Sequence, residues 1–273
     1  MSNDAPESHF VEVGEGLTMH YHSLGEGPTV VLVHGSGPGA SGWSNFRHNA
    51  QALADGGFRV VVPDLLGYGR SSMPADFVYG FDVHVETFAR LLDAVGAPDA
   101  AFVGNSLGGA LCIGFALAHP GRTRRLVLMA PGGLEDRETY MGMRGIRAML
   151  KTVYGEAGIT LDGMRRLFGL QVFEGEVAHE VIEERTRVAL TQPRAVFETV
   201  GVPNLAPRLG ELTCPVLGFW GANDQFCPVS GATTLATGCG DAEVILYSRC
   251  GHWVMVERVE AFNQRTREFL CGT

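Results

Sequence analysis

No apolar run in this 273-residue chain reaches the ~20 residues needed to span a bilayer, which excludes a transmembrane helix. Residues 1–7 are polar and carry acids. They lack a cationic start followed by an apolar stretch, so no secretory signal is visible. Cations are scarce: 21 Lys and Arg stand against 30 Asp and Glu, a formal net charge of -9. A phosphate backbone needs clustered cations, so a broad nucleic-acid surface is not expected. An anionic small substrate stays open, provided a local Arg or Lys holds it. The cysteines Cys112, Cys214, Cys227, Cys239, Cys250 and Cys271 show no paired, metal-type spacing. They read as reduced thiols of a cytoplasmic protein. Internal repeats and low-complexity stretches are missing too.

What is present is a chain long enough for one large core, or a core with an insert. Its glycines cluster beside short apolar runs, as tight strand-to-helix turns require. Segments 10–13 and 17–22 alternate apolar and polar around Gly14-Glu15-Gly16 and read as a β-hairpin. Segment 29–33 is continuously apolar, the pattern of a strand buried on both faces. Comparable runs recur at 59–62, 100–103, 126–129, 216–220 and 244–247. Helical segments at 43–54, 83–95, 107–118, 229–236 and 260–270 separate most of them. This alternation implies an α/β fold, an eight-stranded and mostly parallel sheet with helices on both faces. One interval breaks it. Segments 140–153, 161–172 and 177–190 carry apolar residues at helical spacing, with no convincing strand among them. The chain therefore divides into core (1–133), helical insert (134–210) and core (211–273). Ligands bind beyond the carboxyl ends of such strands, so the insert is expected to be a lid there rather than a packing appendage.

The chemistry is concentrated at strand ends. Gly104-Asn105-Ser106-Leu107-Gly108 matches G-x-S-x-G between a buried strand and a helix, the context of a nucleophile elbow. A sharp turn there lifts the Ser106 hydroxyl above the sheet, and the helix N-terminus faces developing negative charge. Serine needs a base, and His252, after the last buried strand, is best placed among nine histidines. His34 belongs to another turn and His119 ends the helix after Ser106. His20 and His22 read as a surface pair without a third metal ligand. The base needs an orienting acid. Asp224 follows segment 216–220 and gives the order Ser, Asp, His of this elbow class. Asp64 precedes Ser106 and is expected in the turn toward Gly67 and Gly69. In His34-Gly35-Ser36-Gly37-Pro38-Gly39 the spacing is not that of a dinucleotide loop, and Pro38 removes an N–H. The N–H groups of Ser36 and Leu107 are the expected oxyanion-hole pair. No metal or organic cofactor is expected.

The strings HGSGPGASGWSNF from His34, GNSLGGA from Gly104, LVLMAPGGL from Leu126 and CGHWVMVE from Cys250 are narrower than the elbow motif. By them the chain resembles the meta-cleavage product hydrolases, α/β-hydrolase-fold enzymes that hydrolyse carbon–carbon bonds. The resemblance spans nearly the whole chain. It implies Ser106, Asp224 and His252 as the triad, and a substrate of the 2-hydroxy-6-oxo-hexa-2,4-dienoate type. It also implies Asn45, Asn105 and Trp253 around the dienoate end, with Arg185 on its carboxylate. Arg185 is matched by its spacing to Gln192-Pro193, and Arg187 is its rival. Without the resemblance Arg185 reads as a solvent-facing arginine in a charged helix, Asn45 as a helix-stabilising side chain and Trp253 as core. The segment 135–158 departs most from the family and leaves the group on C6 open, although apolar residues in 141–149 are expected to line its pocket. A homo-oligomer is left open. Two further readings stand beside this one: a carboxylesterase or lactonase with the same triad, and a non-catalytic receptor for a small ligand, which would have no need of all three residues.

Overall fold

The computed structural model describes residues 5–272. A single sheet runs through them in the order β1-β2-β4-β3-β5-β6-β7-β8. The strands are β1 (Ser8–Glu12), β2 (Thr18–Leu24), β3 (Thr29–Val33), β4 (Arg59–Pro63), β5 (Ala100–Asn105), β6 (Thr123–Met129), β7 (Val216–Gly221) and β8 (Ala242–Tyr247). β2 is antiparallel to β1 and β4, and the remaining neighbours are parallel. The eight expected strands are all present. β3 and β5 are buried along their whole length because helices cover both faces. β8 departs from the expected burial: it is the edge strand, only half covered, and Leu246 is 51% exposed.

Between β3 and β4 lie α1 (Gly42–Phe46) and α2 (Ala50–Ala54), where one helix was expected over 43–54. The break has a side-chain cause. The Asn49 Nδ2 donates to the Met255 carbonyl (3.0 Å) and to Asn263 Oδ1 (2.9 Å), which ties the turn to the C-terminal helices. Helices α3 (Phe81–Ala94) and α4 (Leu107–Ala118) follow on the expected segments. After β6 come α5 (Arg137–Gly142), α6 (Arg144–Tyr154), α7 (Leu161–Phe168), α8 (His179–Ala189) and α9 (Ala195–Thr199). Apolar spacing foretells α6 to α8, but α9 is short and follows Pro193 without a periodic signal. The chain ends with α10 (Ser230–Gly238), α11 (Val254–Glu257) and α12 (Val259–Cys271).

The expected surface pair of histidines is a correction. His20 and His22 are 1% and 5% exposed. β2 is an inner strand, and the face that carries His20 and His22 is covered. The His20 Nδ1 pairs with Asp64 Oδ2 at 2.8 Å, and His22 packs its ring against Trp43. Asp64 holds the turn after β4, accepting from the N–H groups of Gly42 and Arg70 at 2.8 Å each.

Two other histidines lie in the core. Burial pushes His34 and His84 down to about 4 from an ordinary 6.5. A base whose folded pKa is depressed binds its proton in the unfolded chain first. Folding stability is therefore complete above pH ~6.5 and declines as pH falls toward ~4. Each group is worth at most about 3 kcal/mol over that window. Thermal melts between pH 7 and pH 4.5 should show Tm falling, and His84→Leu should flatten the slope. A Tm independent of pH there would show that neither buried ring resists protonation.

Candidate active site

Ser106 sits at the β5–α4 junction with φ 57 and ψ -118, a left-handed conformation strained for a residue with a side chain. The strain is held by the junction itself: the Ser106 N–H donates to the Met129 carbonyl (3.0 Å), and its carbonyl accepts from Ala110 and Gly132. A Cβ on Gly108 would overlap the Val33 carbonyl oxygen, so the close crossing of α4 over β3 requires glycine there. As first residue of α4, Leu107 has an N–H with no partner inside the helix. Ser36 lines the cleft above Ser106. The loop carrying it is pinned by His34, whose Nδ1 donates to the Gly35 carbonyl (2.8 Å) while Nε2 accepts from Leu65 N–H (3.0 Å).

His252 and Asp224 come from the loops after β8 and β7. The His252 Nδ1 lies 2.7 Å from Asp224 Oδ2, and the rings and carboxylate are almost wholly buried. The other carboxylate oxygen accepts from the N–H groups of Phe226 (2.7 Å) and Cys227 (3.0 Å). That leaves the Asp224 carboxylate held by three hydrogen bonds, and His252 lines the same cleft as Ser106. The Cys227 side chain lies beside the Ser106 hydroxyl, a neighbour that no sequence motif announced. No hydrogen bond between Ser106 and His252 is formed among the described residues.

The same cleft holds Asn45, Asn105, Arg185 and Trp253, with Met149 and Gln171 added by the insert. Arg185 is 1% exposed. Its guanidinium lies over the rings of Phe168 (4.7 Å) and Trp253 (5.4 Å) and reaches the carbonyls of Gly37 (3.2 Å) and Pro38 (3.4 Å) and Asn45 Oδ1 (3.4 Å). Every one of these partners is neutral, and no ion pair to Arg185 exists among the described residues. Burial draws its pKa down to about 9, which leaves it charged at neutral pH. Arg187 points to solvent. Within segment 141–149 only Met149 lines this cleft, while Met141 is 42% exposed. No group of three or more His, Cys, Asp or Glu side chains is arranged for a metal ion among the described residues.

The insert is fastened to the core at one more point. Gln192 Oε1 accepts from Gly39 N–H (2.6 Å), and its Nε2 donates to the Gly67 carbonyl (2.8 Å). Gly39 has φ +67, and a Cβ there would overlap the Arg185 carbonyl oxygen. Gln192→Ala should loosen α8 from this seat, at a cost of about 1–2 kcal/mol in stability. Substrate KM should rise several-fold with kcat less affected, as steady-state kinetics would show. Unchanged KM would mean that the clamp does not govern the cleft.

Sheet order, strained elbow and buried His–Asp pair define the class. The sequence pattern of the Alpha/beta hydrolase family matches residues 30–265. The chain belongs to that family, and within it to the meta-cleavage product hydrolases. It is 35% identical to a 2-hydroxy-6-oxononadienedioate/2-hydroxy-6-oxononatrienedioate hydrolase of Dechloromonas aromatica, over 98% of this chain and 96% of the relative. It is 33% identical to a 2-hydroxy-6-oxo-6-phenylhexa-2,4-dienoate hydrolase of Burkholderia cepacia, over 99% and 98%. The meta-cleavage product hydrolase CumD of Pseudomonas fluorescens, solved as a serine-to-alanine variant with acetates, superposes with a TM-score of 0.84. That likeness is at 28% identity and covers 94% of this chain and 95% of CumD.

Proposed function

We propose that this protein hydrolyses the C5–C6 bond of a 2-hydroxy-6-oxo-hexa-2,4-dienoate, giving 2-hydroxypenta-2,4-dienoate and a carboxylic acid. One observation carries the reading: a buried guanidinium without a carboxylate partner shares a cleft with Ser106 and His252. A buried cation held only by neutral acceptors is costly unless an anion completes it. A dienoate carboxylate supplies that anion at one end of the cleft.

The other residues follow in their roles. Carbon is a poor leaving group unless its charge is delocalised, so the dienol must first become a ketone that can accept the electrons of the breaking bond. Asn45, Asn105 and Trp253 fix the dienoate while His252 moves the protons. Ser106 then attacks the C6 carbonyl with His252 as base and Asp224 orienting the imidazole. The Ser36 and Leu107 N–H groups receive the oxyanion. Water releases the acyl group from Ser106. No step needs a metal or organic cofactor. The insert 134–210 acts as lid, and the free thiols suit a cytoplasmic enzyme.

A carboxylesterase would use the same three residues but has no use for the buried cation. The specificity constant for bleaching a yellow dienolate should therefore exceed that for an aryl ester. The reverse order would make this protein an esterase.

A further inference from the structure

Arg185, Asn45 and Asn105 account for the dienoate end of the cleft, but another polar side chain lines it. Gln171 follows α7 and is only 5% exposed. Its main chain is fixed: its N–H donates to the Phe168 carbonyl (3.0 Å), and its carbonyl accepts from Trp253 N–H (3.0 Å). Its carboxamide is not: Oε1 is buried with no hydrogen-bond partner. Leaving such a group dry and unpaired is unfavourable, so a buried carboxamide facing a cleft points to a ligand that pairs with it.

Position and charge narrow the ligand. The guanidinium of Arg185 marks the carboxylate end, against Gly37 and Asn45. Met149 stands on α6, whose first turn is bound to the loop after Asp224 through Gly145 N–H and the Gln225 carbonyl (2.7 Å). Gln171 lies against Gly251 and Trp253, beside His252. The insert thus brings Met149 to the cleft beside the loop of the acid and Gln171 beside the loop of the base. On the dienoate reading Arg185, Asn45 and Asn105 take the carboxylate end, which leaves the Gln171 carboxamide for the part of the substrate beyond the C6 carbonyl. Among the described residues, Arg185 is the one Arg or Lys lining the cleft. A second carboxylate on the tail would find no cation there. A carboxamide offers one acceptor and two donors, which match an uncharged hydroxyl or carbonyl.

We propose that Gln171 is a specificity-determining residue that hydrogen-bonds an uncharged oxygen substituent on the C6 tail of the substrate. The proposal rests on the dienoate reading above. A site built to pair with a hydroxyl discriminates strongly against the analogue that lacks it, because the buried partner is then left unsatisfied.

The test uses the full chain and four probes: the 6-phenyl dienoate and its three 6-(hydroxyphenyl) isomers. The wild-type protein should favour one hydroxyphenyl isomer over phenyl by about tenfold or more in kcat/KM. Gln171→Leu should bring that ratio close to one, by losing rate on the favoured isomer while keeping or gaining it on phenyl. Gln171→Met serves the same purpose should the leucine variant fail to fold, which circular dichroism would show. A ratio unchanged in the folded variants overturns the proposal. So does an equal loss on all four probes, which would make Gln171 a support for the Trp253 loop. Wild-type protein that bleaches none of the dienoates refutes the dienoate reading and this proposal together, and the wild-type rates alone reveal that case.

Discussion

Ser106→Ala is expected to abolish carbon–carbon cleavage, lowering kcat by roughly 10⁴-fold or more, while the protein stays folded. Alanine keeps the backbone bonds of the elbow, which run through the Ser106 N–H and carbonyl and not through its hydroxyl. Relief of no strain is expected, since alanine retains a Cβ at φ 57. His252→Ala should be comparably impaired, because the hydroxyl has no other base in the cleft. Residues that act as a unit do not add, so the double variant should be little worse than either single one. Single-turnover bleaching of a dienolate, together with a thermal melt, checks both parts. Near wild-type turnover by folded Ser106→Ala would remove this residue from the mechanism.

The second large effect concerns Arg185. Arg185→Ala should reduce kcat/KM for a dienoate by at least roughly tenfold to a hundredfold, since charge-assisted bonds are worth about 1.5–3 kcal/mol each. A neutral aryl ester has no carboxylate to hold and should be affected far less. Lysine should rescue only in part. It lacks the planar fork, and the flat guanidinium is what packs over the Phe168 and Trp253 rings. Measuring both substrates on one preparation separates binding from structure. Equal losses on the two would assign Arg185 to the docking of the insert, because its side chain also ties α8 to the loop 37–38.

The sheet was legible in the sequence because its inner strands are buried on two faces and their residues have no alternative to being apolar. The elbow was legible because Gly108 answers a steric demand that reads as a motif. Arg185 illustrates the limit. Its neighbours Glu183, Glu184 and Arg187 give the segment a solvated look, and helical spacing alone gives no reason to single out residue 185 as the buried one. Resemblance drew attention to Arg185, whereas its burial follows from the way α8 docks on Gly39. His20 and His22 failed for a related reason: alternation shows that two side chains share a face but not whether that face is covered. Gln171 and Cys227 carried no signal at all. Each is a single residue in a loop, and its place beside the cleft depends on contacts between segments far apart in the chain.

The seat of α8 on Gly39 has a consequence for timing. The backbone of Arg185 rests on that glycine while its guanidinium reaches the neighbouring carbonyls. On the proposed dienoate reading the anion's counter-charge is carried by the insert, so substrate binding and the seating of α8 on the core would share one contact. The dienoate product would keep its carboxylate and hold that contact after the acid formed at C6 had gone, so its departure would come last.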